Sequence, residues 1–152
     1  MEDMNIHEIV IQRVKYANVN VENKTVGKID KGLLLFIGIG NEDNESIADK
    51  LAKKVCNLRI FEDENQKMNK SIKDINGQLL VVSQFTLYAD CKKSGNRPSF
   101  SNACEPKKAN ELYEYFKLKC QQEISKVESG IFGADMKIEL LNDGPVTIIL
   151  EE

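Results

Sequence analysis

The run Leu33-Leu34-Leu35-Phe36-Ile37-Gly38-Ile39 constrains this chain more than any other segment. A half-exposed strand would alternate polar and apolar residues, and a surface helix would show polar positions every third or fourth residue. This run shows neither pattern. It reads as a strand covered on both faces, which places it at the centre of a sheet and requires other elements above and below. Lys31-Gly32 leads into it, and Gly38 and Gly40 close it.

The flanking segments supply the rest of a sheet and its cover. Ile9 to Val14 reads as a first strand, Asn18 to Glu22 as a half-buried second, and Asn23-Lys24 as a turn into Val26 to Ile29. Ser46, with Asp49 three residues on, resembles a capping box. Ile47, Leu51, Val55 and Leu58 follow at helical spacing, so a helix runs from Ser46 to about Leu58. Ile60-Phe61 is extended, Asp63 to Asn69 is a polar turn, and Gln78 to Tyr88 is one long β-rich run. Asp90 to Asn102 is a loop. Pro106 suits a first helical turn, and Ala109, Leu112, Tyr113, Phe116 and Cys120 trace one face of a helix reaching about Ser125. Gly130 and Gly133 punctuate a return to β structure, with strands at Met136 to Leu140 and Val146 to Leu150. The predicted fold class is α+β: a mainly antiparallel sheet or open β-barrel covered by two helices, in a single domain spanning 1–152.

A chain of 152 residues can bury a full core without staples. No apolar run is long enough to span a bilayer, and no basic segment precedes an apolar stretch at the N-terminus. The expectation is a cytoplasmic protein with no membrane association. Net charge is −3, so any nucleic-acid contact must be local. Cys56, Cys91, Cys104 and Cys120 have no metal-ligand spacing, which predicts reduced thiols, no metal and no cofactor. The one histidine is His7, in a polar lead-in. A Ser-His-Asp or Cys-His arrangement is therefore out of reach, and hydrolytic chemistry here must run without imidazole.

Two segments carry the chemistry. Ser83-Gln84-Phe85-Thr86 puts two hydroxyls and an amide at the end of a buried strand. One reading is a strand end satisfying its own backbone. The other is a pocket offering N–H donors and hydroxyls to an ester carbonyl. Asn142-Asp143-Gly144-Pro145-Val146-Thr147 reads either as a turn feeding the last strand, or as a functional Gly-Pro pair. A cis Gly-Pro bond would point two successive carbonyl oxygens the same way, as acceptors for an ammonium group. It would leave no room for a side chain on one side of a substrate Cα. Lys92, Lys93 and Arg97, with Lys107 and Lys108 behind them, form either a solvated surface loop or a set of phosphate contacts. Phe132 is either a base-stacking aromatic or a core aromatic beside a bulge, with Met136 in the same segment.

Taken together these segments resemble the D-aminoacyl-tRNA deacylases, from about Glu8 to Leu150. Besides the two main motifs the likeness includes Ile11-Gln12-Arg13-Val14, Asn57-Leu58-Arg59-Ile60-Phe61, Lys67-Met68-Asn69, Arg97-Pro98-Ser99-Phe100 and Phe132-Gly133-Ala134-Asp135-Met136. The resemblance implies hydrolysis of the ester of D-aminoacyl-tRNA, with mischarged glycyl-tRNA also cleaved. It implies a homodimer whose pocket is lined by Ser83, Gln84, Phe85 and Thr86 and completed by Gly144 and Pro145 of the other subunit. It further implies action on the 3′-terminal adenosine of tRNA, with the substrate's 2′-hydroxyl or Thr86 as candidate assistants. Residues 1–7 precede the family's usual start and form an N-terminal extension. The alternatives are a non-catalytic module that binds the tRNA acceptor end, and a small structural or ligand-binding domain.

Overall fold

The computed structural model describes residues 8–92 and 95–151; the extension at 1–7, with His7, and Lys93 lie outside the described residues. Strand β1 (Glu8–Val21) is followed by β2 (Lys24–Ile29), β3 (Gly32–Gly38), helix α1 (Glu45–Asn57), a small hairpin of β4 (Phe61–Glu62) and β5 (Met68–Lys70), then β6 (Gln78–Ser83). A four-residue 3-10 turn (Phe85–Tyr88) comes next, followed by α2 (Pro106–Gln121), β7 (Val127–Ser129) and β8 (Lys137–Glu151). The sheet runs β2-β1-β3-β6-β7, and β8 pairs along the free edge of β1. The pairings of β1 with β2, β3 and β8 are antiparallel. Those of β3 with β6 and of β6 with β7 are parallel.

The sheet curls until its outer strands meet. The Lys28 amide donates to the Glu128 carboxylate at 3.3 Å, and a Cβ on Gly27 would stand 2.7 Å from the Ser129 carbonyl oxygen. The result is a nearly closed mixed barrel. Val14, Ala17, Val19, Ile29, Leu34, Leu80 and Val82 form one buried cluster. Ile9, Ile11, Leu33, Leu35 and Ile37 pack with the inner faces of both helices to form the other. β3 therefore contributes alternate side chains to two cores, which is why its sequence is apolar on both faces.

Four sequence expectations change. Ile9 to Val14 and Asn18 to Glu22 are not two strands but one. Val14 and Arg13 are both buried, so the period of two slips there, and the pairing with β8 shifts register around Val14. Such a bulge bends a strand sharply enough to serve both cores. The two C-terminal strands are likewise one, because Asn142 bridges the polar stretch: its side-chain Oδ1 accepts from the Val146 amide at 2.8 Å. The Gln78 to Tyr88 run leaves the sheet after Ser83: its last pair with β3 is Ile37, one more bond runs from the Gln84 amide to the Ile37 carbonyl, and the chain then turns. α1 is capped by Asn44, two residues before Ser46; its side chain accepts from the Ile47 amide at 3.0 Å.

Leu34 is fully buried in the barrel cluster. Leu34→Ala should lower unfolding free energy by about 2–5 kcal/mol, measured by urea denaturation; a loss under about 1 kcal/mol would contradict a packed barrel interior.

Candidate active site

The strands β3, β6 and β7 run parallel, and a cavity of 660 Å³ opens beyond their C-terminal ends. Ligands in sheets with parallel strands settle outside the carboxyl ends, where the diverging loops leave a crevice. Ile39 follows β3, Ser83 ends β6, and Phe132, Gly133 and Ala134 follow β7; all line the cavity. The remaining wall comes from the segment before α2. The Cys104 amide donates to the Ile39 carbonyl at 2.9 Å and Asn41 to Asn102 at 3.3 Å, folding Phe100, Ala103 and Cys104 back over β3.

Ser83, Gln84, Phe85 and Thr86 all line this cavity, together with Phe132 and Met136. The Gln84 amide nitrogen donates to the Ile37 carbonyl at 2.8 Å, continuing the β3 alignment for one residue past the strand. The chain then tightens into the 3-10 turn. The first amides of such a turn have no partner within it, and those are the amides of Phe85 and Thr86. The Gln84 side-chain Nε2 donates to Thr86 Oγ1 at 2.9 Å. That fixes the Thr86 oxygen as acceptor and leaves its proton to point elsewhere. Phe85 is 58% exposed and meets Phe100 edge-on, ring centroids 5.0 Å apart, at the rim.

Among the described residues the site holds no imidazole, and its one thiol is poor. Burial pushes the Cys104 thiol up, against the opposing pull of the Lys108 ammonium, so it stays protonated near neutral pH. Among the described residues no group of three or more His, Cys, Asp and Glu side chains is placed to hold a metal ion. Glu105 is the charged member of the wall, and both its oxygens are engaged: it caps α2 by accepting from the Lys107 and Lys108 amides at 3.0 and 2.9 Å. The chemistry on offer is therefore positioning and hydrogen-bond donation, not proton abstraction by a side chain.

Gly144 and Pro145 are not part of this wall. The peptide bond between them is cis, and both are exposed on β8. Their placement follows from Arg13, for which the sequence reading assigned no role. Gln12 pairs with Thr147 and Val14 with Asn142, so residues 143–146 bulge outward opposite Arg13 alone. Arg13 is buried, and its Nε donates to the Asp143 carbonyl at 2.9 Å while Nη1 donates to the Ile60 carbonyl at 2.8 Å. The Asp143 carboxylate lies 3.9 Å from Nε. Gln12 adds a second tie, its Oε1 accepting from Thr147 Oγ1 at 2.7 Å and from the Asn142 side chain. A Cβ on Gly144 would meet Arg13 Nη2 at 3.1 Å, and its φ of +137° is one that L residues rarely adopt. The signal was in the sequence: a charged residue at an inward position of an apolar strand needs internal partners. Lys92 and Arg97 are exposed on the loop beyond the 3-10 turn. That loop is pinned at its base by Asp90 and Ser99, which exchange backbone hydrogen bonds at 2.7 and 2.9 Å.

A family model described as D-Tyr-tRNA(Tyr) deacylase matches residues 10–151. The chain is 58% identical over 142 residues to a D-aminoacyl-tRNA deacylase of Thermosipho africanus (strain TCF52B), covering 93% of this chain and 95% of that one. It is 55% identical over 143 residues to the protein of the same name from Thermosipho melanesiensis (strain DSM 12029 / CIP 104789 / BI429), with the same coverage of 93% and 95%. Among solved structures, a c-Myc DNA Unwinding Element Binding Protein superposes with a TM-score of 0.89 at 37% identity, over 95% of this chain and 98% of that one. A protein described as a probable eukaryotic D-amino acid tRNA deacylase shares the fold, with a TM-score of 0.83 at 16% identity over 97% and 100% of the two chains.

Removing the Arg13 clamp leaves two carbonyls without their charged donor. Hydrogen bonds from charged groups contribute about 1.5–3 kcal/mol each, so Arg13→Ala should destabilise the fold by about 3 kcal/mol or more in thermal or urea unfolding. Stability within about 0.5 kcal/mol of the parent would show that Arg13 is not the anchor of the bulge.

Proposed function

The chain belongs to the D-Tyr-tRNA(Tyr) deacylase family, and from that premise we propose how its cavity works. The protein hydrolyses the ester bond of D-aminoacyl-tRNA, releasing free D-amino acid and tRNA. The observation that carries the reading of the site is the gathering of Ser83, Gln84, Phe85 and Thr86 with Phe132 and Met136 around one cavity. Water adds to the ester carbonyl, and the amides of Phe85 and Thr86 donate to the oxygen as it becomes negative. Donors of this kind contribute roughly 3–4 kcal/mol each to the transition state. The terminal ribose oxygen leaves with a proton, and the amino acid leaves as its carboxylate. An aminoacyl ester is already activated, so positioning suffices where no base is at hand. The substrate's own 2′-hydroxyl is the proton carrier nearest the reacting carbon.

The second half of the proposal concerns assembly. β8 is an edge strand that presents Leu141 (48% exposed) and Ile149 (62% exposed) beside the Gly144–Pro145 bulge. An apolar, unpaired edge of this length invites a second copy of itself. In the homodimer, Gly144 and Pro145 of one subunit reach the Ser83 to Thr86 segment of the other. Their carbonyls accept from the substrate ammonium and crowd the face of the Cα where an L side chain would sit. Rejection by crowding makes no demand on the D side chain, so many D-amino acids, and glycine, pass. Lys92, Lys93 and Arg97 contact phosphates of the acceptor end, and Phe132 and Met136 contact the terminal adenosine. The protein works without cofactor, in the cytoplasm. No helix among the described residues is long and apolar enough to cross a membrane.

At catalytic concentration the protein should release D-tyrosine from D-tyrosyl-tRNA and spare L-tyrosyl-tRNA. Comparable rates on the two would end the chiral reading, and stoichiometric binding without turnover would favour the non-catalytic module. No histidine among the described residues stands beside Thr86 to activate it. Thr86→Ala should thus retain measurable turnover, and mass spectrometry of the quenched enzyme should find no acyl adduct on Thr86; an adduct there would make it the nucleophile.

A further inference from the structure

We infer that Tyr88 is a positioning residue: its ring, seated on a floor made by Gly38 and Gly40, holds the turn that carries Phe85 and Thr86 into the cavity. The inference rests on the reading of Ser83 to Thr86 as the catalytic segment. Two facts about the turn make an external seat necessary. A 3-10 turn of four residues has few bonds of its own. Here the Leu87 amide donates to Gln84 at 3.3 Å and the Ala89 amide to Thr86 at 3.0 Å. Bonds of that number do not hold a short helical turn in water.

The seat is visible at the end of β3. A Cβ on Gly38 would stand 3.0 Å from Tyr88 Cε2 and 3.1 Å from Leu87 Cβ. One on Gly40 would stand 2.9 Å from the Tyr88 hydroxyl oxygen and 3.0 Å from Cζ. The turn lies flat on β3 because neither glycine raises a side chain beneath it. The floor is itself fixed, since the Gly40 amide donates to Asp43 Oδ2 at 2.6 Å and the Asp43 amide donates back to the Gly40 carbonyl at 3.2 Å. The contact is one of shape. The Tyr88 hydroxyl is buried and has no hydrogen-bond partner among the described residues. Burial and the nearby Asp43 carboxylate push the phenol well above its ordinary pKa, so it stays neutral.

The test compares Gly40→Ala, Tyr88→Ala, their double variant and Tyr88→Phe, read by amide exchange and by steady-state kinetics on D-tyrosyl-tRNA. Gly40 does not have a positive φ, so alanine is tolerated by the backbone and acts through the ring alone. In Gly40→Ala and in Tyr88→Ala, exchange at the Leu87 and Ala89 amides should speed up by roughly tenfold or more. Turnover should fall by about tenfold to a hundredfold, because misplacing reacting groups by an ångström has that effect. KM should move less than about threefold, since the substrate's remote contacts are untouched. In the Tyr88→Ala background, Gly40→Ala should add nothing, and Tyr88→Phe should behave as the parent. Unchanged exchange in Gly40→Ala overturns the inference. So does faster exchange with unchanged kcat, or losses that simply add in the double variant. Should Tyr88→Ala fail to fold, Tyr88→Leu takes its place in the cycle. A parent protein that turns over no D-aminoacyl-tRNA, while exchange still responds as stated, would refute the esterase reading and leave the seat standing.

Discussion

A buried guanidinium organises this molecule. Arg13 sits in the middle of β1, at a position where Ile9 and Ile11 before it point into an apolar core. A charge taken out of water must be met by internal partners or it unfolds the site around it. Arg13 meets the carbonyls of Asp143 and Ile60 and the Asp143 carboxylate. Reaching them requires β8 to leave the ladder for four residues, and those residues include Gly144 and Pro145. The outward bulge is therefore a consequence of satisfying one cation, and its shape is as rigid as that network.

The cavity has a different origin. Three parallel strands end together, and the loops after them diverge around a largely apolar space. Its polar content is confined to Ser83, Gln84 and Thr86 and to Glu105, which is occupied as a helix cap. In the proposed mechanism such a site would accelerate the reaction by orienting an already reactive ester and by offering backbone amides to the developing charge. It is poorly suited to unactivated bonds, which need a stronger nucleophile or a base. That limit agrees with the ester of aminoacyl-tRNA as substrate.

Much of this was legible in the sequence. The central strand and both helices follow from their apolar patterns, because burial on one or both faces writes itself into the residue pattern; the strands at either end each read as two in the sequence where the structure has one. The boundaries that misled are those where a neighbour decided the outcome. Phe85 to Tyr88 are good β-formers, yet β3 ends and the glycines beneath favour a turn. Asn142 to Pro145 look like a turn, yet pairing with β1 on both sides keeps them within one strand. β7 was missed because three half-buried residues, Val127 to Ser129, carry too short a pattern to read. The motif residues lining the cavity were named from sequence, whereas Ile39, Phe100, Cys104 and Glu105 were not, since only the fold brings them there.

The central claim is that the bulge held by Arg13 acts on the cavity of a second copy. Subunit complementation tests it directly. One variant, Ala134→Trp, fills the cavity and keeps the bulge; the other, Gly144→Val, alters the bulge and keeps the cavity. Each alone should be inactive on D-tyrosyl-tRNA. After the two are unfolded together and refolded, half the dimers are mixed, and each mixed dimer has one intact site. Activity should then return to about a quarter of the parent level. No recovery, in mixtures shown to contain mixed dimers, would mean that the bulge does not work across the subunit boundary.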